Sequence, residues 1–313
     1  MTDGSGAGVR AAPSSAVTAG QATNAYTERL MRSADWPSAA SGFGVHVLRL
    51  AKAPSVRFGL VGFACFFAVW YFLTAVIVPP RFHFIPNPLY LFREWVSAAP
   101  KFGVSIYSPQ YYEHILVSVW RVYTAFAISV LVGAPLGILL GWSRLARDLI
   151  FPIVELLRPI PPLAWVPLAV LMIPTTEAAV IFVTLLAAFF ATVLNTLLGV
   201  TSIHENYFRA AACLGYSRWD VLWRVVVPGA LPFIFTGLQI AMGVAWFSLV
   251  GGELIAGRSG LGYLIFDAYT QLALPNIFIG MITLGVLGWL SSALIRLVGD
   301  WLNRWQSRDR GVS

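Results

Sequence analysis

Few of the 313 residues carry reactive side chains, and five charged ones sit where ions are costly: Arg121, Glu155, Arg158, Glu253 and Arg296 fall within or at the end of long apolar stretches. An ionisable group in such a stretch faces a cavity, a partner or a counter-charge. Arg158 lies about 12 Å into its stretch by helical rise and is followed by Pro159, Pro161 and Pro162. These prolines cannot donate backbone hydrogen bonds and break or kink a helix. A cation beside an interrupted helix attracts anions; the alternative is a structural ion pair with Glu155 or Glu253. Glu253 repels an anion unless paired, which favours a gate or hinge contact, and Arg121 reads as a structural partner. Asn195, Thr196, Gln239 and Trp246 either line a path or hydrogen-bond one helix to another.

Several chemistries lack their residues. His46, His83, His114 and His204 are scattered without metal-ligand spacing, and Cys65 and Cys213 are too isolated for a disulfide framework or zinc site. There is no Gly-rich phosphate loop ending in Gly-Lys-Ser/Thr, so ATP hydrolysis by this chain is not expected. There is no HExxH, nucleophile elbow or carboxylate pair, and no His or Asp cluster of the kind a membrane-embedded enzyme requires.

The elements that must carry these residues are apolar. The chain is 58% apolar and 11% charged, against about 45–50% and about 25% in soluble domains. So few charges cannot cover a soluble globule of this size. A bilayer core takes about 20 apolar residues per helix, and six stretches qualify: 58–78, 114–141, 150–173, 178–200, 229–253 and 277–299. They are apolar all round, and none shows the short alternating segments of a β-barrel.

The net charge of +7 is topogenic rather than a nucleic-acid footprint. With six spans, 15 of the 21 basic residues fall on the side of the termini and 4 on the other; Arg121 and Arg158 lie within spans. Both termini are therefore expected in the cytoplasm. Residues 1–50, rich in Gly, Ala, Ser and Thr over most of their length, are expected as a flexible cytoplasmic tail without the apolar core of a cleavable signal, and 306–313 as a short second tail. The segment 79–112 on the opposite side, rich in Pro and aromatics, reads as an interfacial connection with an aromatic belt or as a docking surface.

The longest inside loop, 201–228, has the spacing of two helical pieces split by Gly215-Tyr216-Ser217. Ser217 is placed to cap the second piece, with Asp220 at its third helical position, and Pro228 is expected to end it. In the first piece, Ala210 and Ala211 leave room for another surface to approach the backbone. The loop is either an amphipathic helix on the membrane or a docking element for a cytoplasmic partner.

Arg209-Ala210-Ala211, three residues, Gly215, nine residues, Val225, one residue and Val227-Pro228 resemble the "EAA" loop of permease subunits of binding-protein-dependent ABC importers. Arg209 stands where that family usually has Glu, a charge reversal that fits selection of a particular ATPase by charge complementarity. Leu157 to Trp165, Ser118-Val119-Trp120-Arg121-Val122, and Gly252-Glu253-Leu254-Ile255-Ala256 with Ser259 to Leu264 are similar to the branch importing nitrate, sulfonates, taurine and bicarbonate. Ile173-Pro174-Thr175-Thr176 departs from that branch's usual turn.

The resemblance implies an all-α type I importer permease of about six spans over residues 56–305. Arg209, Ala210, Ala211, Gly215, Tyr216, Ser217 and Pro228 would couple to a separate ATPase, which would hold ATP and magnesium. The translocation path would draw on Arg158, Trp165, Asn195, Gln239, Trp246 and Glu253. It also implies a second permease subunit, with a homodimer favoured, an extracytoplasmic solute-binding protein, membrane lipid around the spans, and the bacterial inner membrane. No metal or cofactor is expected on this chain. The competing class is a self-sufficient secondary transporter or channel, which calls for inverted repeats and mid-span acidic residues. Within the importer class, a pyrimidine-like vitamin precursor is the alternative substrate.

Overall fold

The computed structural model describes residues 54–77, 85–102 and 104–303. The expected tails 1–50 and 306–313 lie outside the described residues. Among those described, the secondary structure is helical and contains no strand. The chain divides into two units at Ala68/Val69. Helix α1 (Pro54–Phe72) begins in the first unit, where every residue from Phe58 to Ala68 is exposed. An apolar helix exposed on all sides is suited to lipid.

In the second unit, α2 (Pro88–Trp95) starts where the Asn87 side chain accepts the Leu89 N–H, with Pro88 in the first turn. Its Leu91 is buried with Tyr111, Leu264 and Ile279. The long helix α3 (Pro109–Trp142) follows, and Ser143 ends it and caps the next element. Arg147 donates to the carbonyls of Leu140 and Gly141, so the last turn of α3 keeps its acceptors satisfied.

The expected third span, 150–173, is not one helix. Helix α4 (Arg144–Leu157) stops at Arg158, a 3-10 turn runs over Pro162–Trp165, and α5 (Val166–Met172) follows. The pieces are bent by 87°. The physical cause is the proline run, since Pro159, Pro161 and Pro162 supply no backbone N–H to continue the ladder. Among the described residues, five helices are long and apolar enough to cross a membrane, or six if the bent pair counts as one span.

Helix α6 (Thr176–Thr201) packs along α3 through small residues. A Cβ on Gly137 would sit 2.6 Å from the Thr196 Cβ and the Val193 carbonyl, and one on Gly133 would lie 3.3 Å from the Thr192 Cβ. Such glycines at every fourth position let helix backbones approach closely without a hydrophobic drive. Ser129 and Thr192 add a hydroxyl contact at 3.0 Å.

After α6 come α7 (Glu205–Cys213), α8 (Arg218–Val221), a π-turn over Leu222–Val226 and α9 (Val227–Ala256). Pro228 does not end a helix, contrary to the sequence expectation: helical structure continues from Arg218 to Ala256, and Pro228 falls in the first turn of α9. That first-turn position tolerates the missing N–H, and the wide π-turn resets the ladder before it. Helix α9 is the centre of the unit, with Ala241, Met242, Ala245 and Leu249 fully buried against residues of α3 and α6. Helices α10 (Leu261–Thr270) and α11 (Leu274–Leu302) complete the fold. The chain direction puts 201–228 at one end of the bundle, with the starts of α3, α6 and α11 and the end of α9 at the far end.

Candidate functional site

The loop at one end is built by local hydrogen bonding. His204 opens α7 by accepting the Asn206 N–H on Nδ1 at 3.3 Å. The helix ends in a Schellman arrangement: the Tyr216 N–H reaches the Ala211 carbonyl at 3.1 Å, and the Gly215 N–H reaches that of Ala212 at 3.0 Å. Gly215 adopts φ +73, which favours glycine. Ser217 then opens α8 with a full capping box, its hydroxyl accepting the Asp220 N–H while the Asp220 carboxylate accepts from the Ser217 backbone. The sequence expectation for Ser217 and Asp220 is met.

These caps fix which residues face outward. Ala211 is buried against this chain, whereas Ala210 is exposed. Tyr207, Leu214, Trp219 and Trp223 are exposed around it. Arg209 pairs with Glu205 one turn earlier at 3.0 Å, both side chains about 70% exposed. Arg224 lies over the Tyr216 ring at 5.5 Å and pairs with Asp220 at 3.6 Å. A cleft of about 420 Å³ runs beneath α7, lined by His204, Tyr207, Arg224 and Phe233 among others.

At the far end the charged residues of three helices converge. Arg121 of α3 donates through Nη1 to Glu253 Oε1 at 2.8 Å and to the Ser259 carbonyl at 2.7 Å. Its Nε donates to Glu177 Oε2 at 2.7 Å, and its Nη2 pairs with the other Glu177 oxygen. Ser118, one turn before Arg121, donates to the Glu253 carboxylate and accepts the Leu261 N–H at 2.8 Å. The Gly262 N–H donates to Glu253 Oε2 at 2.9 Å. Arg121 and Glu253 are wholly buried, while the Glu177 side chain is 58% exposed.

The Ser259–Leu264 turn is shaped to this cluster. Gly260 adopts φ +112, and a Cβ there would overlap the Glu253 carboxylate. One on Gly262 would lie 2.7 Å from the Val250 carbonyl. Two stretches singled out in the sequence, 118–122 and 252–264, thus meet each other. Glu177 was not singled out. It stands one residue outside the apolar stretch 178–200, and only its place at the start of α6 brings it to Arg121.

The other path candidates are dispersed. Arg158 is exposed and makes no ion pair among the described residues, so it is partner to neither Glu155 nor Glu253. Glu253 faces Arg121 rather than an open path. Trp246 is buried and donates to Ser291 Oγ at 3.2 Å, a helix-to-helix bond that Tyr123 shares. Asn195 donates to the Ala191 carbonyl at 2.8 Å, and its Cβ packs where Gly237 leaves room. Gln239 is half-buried in α9. The Trp165 Nε1 and Thr196 Oγ1 are buried without a hydrogen-bond partner.

Among the described residues the chain is a helical bundle with several candidate membrane spans and a capped loop at one end. Residues 133–308 match the family described as the binding-protein-dependent transport system inner membrane component, and the chain belongs to that family. It is thus a transporter permease subunit rather than an enzyme. The chain is 36% identical over 236 residues to the taurine transport system permease protein TauC of Escherichia coli, spanning 75% of this chain and 84% of TauC. It is 38% identical over 195 residues to the bicarbonate transport system permease protein CmpB of Synechococcus elongatus, spanning 62% and 69% respectively. The fold is similar to a chain of the inward-facing MetNI methionine ABC transporter, with TM-score 0.51 and 19% identity over 62% of this chain and 94% of that one.

Proposed function

We propose that this chain forms the membrane path of an ATP-driven importer and takes its drive through α7 from a separate ATPase subunit, which holds ATP and magnesium. The observation that carries this reading is the outward face of α7. Ala210 is exposed between exposed Tyr207 and Leu214, on a helix fixed at both ends by backbone caps. A rigid helix with a small residue at its centre fits a cleft on a partner, whereas a helix lying on lipid needs no such gap.

The basic residues of this end support a cytoplasmic side for it and for both chain termini in a bacterial cell, with the far end facing outward. The permease core is residues 56–305. Two copies would enclose one path, each with one ATPase, and an extracytoplasmic solute-binding protein would deliver the substrate. The relatives named for taurine and bicarbonate support a small anion as cargo, with nitrate, sulfonates and organic carboxylates in the same chemical range. Closure of the ATPase pair presses on α7. The continuous helical run from Arg218 to Ala256 carries that displacement into the bundle. Two bundle states that differ in affinity for the closed ATPase give the coupling.

Ala210→Trp tests this. It adds bulk where this chain has none to displace, so thermal stability should stay within about 0.5 kcal/mol of the parent, while copurification of the ATPase and transport are both lost. Retention of both would remove α7 as the contact.

A further inference from the structure

The charges bonded together at the far end of the bundle do not balance. Arg121 brings one positive charge, and Glu253 and Glu177 bring one negative charge each. Arg121 and Glu253 are wholly buried, and the Glu253 carboxylate also accepts from the Ser118 hydroxyl and the Gly262 N–H. That pair is neutral without Glu177. The Glu177 side chain is 58% exposed, and its carboxylate has Arg121 as its one partner among the described residues.

This asymmetry decides which limb of the cluster can open. Parting Arg121 from Glu253 leaves uncompensated charge in a dry site. Parting Arg121 from Glu177 leaves a neutral buried pair, and the carboxylate moves into solvent that already reaches it. Arg121 then keeps its bonds to Glu253 and to the Ser259 carbonyl, and Nη2 keeps the Ser259 hydroxyl at 3.4 Å.

The two limbs also join different helices. The Glu253 limb holds α9 to α3, whereas the Glu177 limb holds the start of α6 to α3. The next hydrogen bond between α6 and α3 among the described residues is that of Thr192 with Ser129. Between those points α6 is held by apolar packing and by one neutral hydrogen bond to α9, from Ser248 to the Val183 carbonyl at 3.2 Å. Val166 and Ala169 of α5 are buried with Ala179 and Val183 of α6, so α5 travels with the start of α6. From Glu177 to Thr192 the helix runs about 22 Å, so a tilt of about 10° about Thr192 carries its start about 4 Å.

We propose that Glu177 is a positioning residue that acts as a releasable catch. Bonded to Arg121, it holds the start of α6, and α5 with it, against α3. Released, it lets that segment tilt away while Arg121 and Glu253 keep α3 and α9 together. The proposal stands on the ionic cluster and the packing around it, not on the importer reading.

The test uses the full chain in lipid nanodiscs, without ATPase, so its failure is separable from failure of the coupling reading. Cys65 and Cys213, both exposed, are replaced by serine. Spin labels are placed through cysteines at the exposed positions Leu116 of α3, Ala178 of α6 and Ile255 of α9. Labelled chain is diluted with unlabelled chain, so that each distance lies within one subunit, and pulsed electron spin resonance reads the 116–178 and 116–255 pairs. In Glu177→Gln the 116–178 pair should gain a population longer by about 4 Å. The 116–255 pair and the thermal transition should match those of the parent. A merely structural Glu177 gives a different result, because both distances then spread together as the cluster loosens. The proposal is overturned if Glu177→Gln leaves the 116–178 distance unchanged, if the 116–255 distance lengthens with it, or if the variant loses its folded transition, since release would then cost the fold.

Discussion

Arg121 and Arg209 each pair with a glutamate, at opposite ends of the bundle, and almost nothing else about the two pairs is alike. Arg121 is wholly buried, bonds two carboxylates and a carbonyl from three segments, and joins residues more than 50 positions apart in sequence. Arg209 bonds one carboxylate a single turn away, with both side chains about 70% exposed. A buried ion pair is not in itself a large source of stability, but breaking one leaves an uncompensated charge in a dry site. An exposed pair one helical turn apart is worth only a few tenths of a kcal/mol. The contrast separates structure from recognition. Where a charge is fully engaged by its own chain, it holds helices in place. Where it is exposed and held by a single neighbour one turn away, as at Arg209, little of the fold depends on it.

The contrast can be broken most directly at Arg121. Arg121→Met should cost about 3–5 kcal/mol by thermal unfolding in detergent, with much of it recovered when Glu253→Met is added; equal losses for Arg121→Met and Arg209→Met would erase the distinction. Gly137→Leu comes next, at about 1–3 kcal/mol by the same assay, because the added side chain meets the Thr196 Cβ and the Val193 carbonyl on α6. Gly215→Ala should cost about 1–2 kcal/mol, confined to the loop. Its Cβ meets no atom within 4 Å, so the loss is one of backbone conformation and should appear as faster proteolysis between α7 and α8. The smallest structural effect is expected at Arg209→Ala, at most about 0.5 kcal/mol. That variant should alter ATPase capture far more than melting temperature, and the reverse result would move Arg209 to the structural side.

The sequence makes the apolar runs legible because a helix that meets lipid on many sides must be apolar over its whole length. It also makes the loop legible, since caps are local: Ser217 with Asp220 and Gly215 with Tyr216 need only neighbours within a few positions. The proline run after Arg158 signalled an interruption, though not the 87° bend, which depends on how α5 packs against α6. Pro228 misled because a proline in a first turn and a proline that stops a helix look alike when the preceding π-turn is unseen. The ionic cluster was legible only in fragments. Arg121 and Glu253 stood out as charges in apolar sequence, but their pairing across 132 positions, and the part of Glu177, follow from which helix ends lie side by side.

Helix α9 has 30 residues, about 45 Å at 1.5 Å per residue, and Glu253 sits three residues from its end. A stiff rod of that length pivoting near its middle by about 5° moves each tip by about 2 Å, more than a hydrogen bond of 2.8–3.0 Å can absorb. The bolts at Glu253 therefore forbid α9 from swinging independently of α3 at the far end: the two are one truss there, with α6 fastened to it through Glu177. Any articulation of the subunit must fall where the backbone is not so braced, and among the described residues the elbow between α4 and α5 is such a joint.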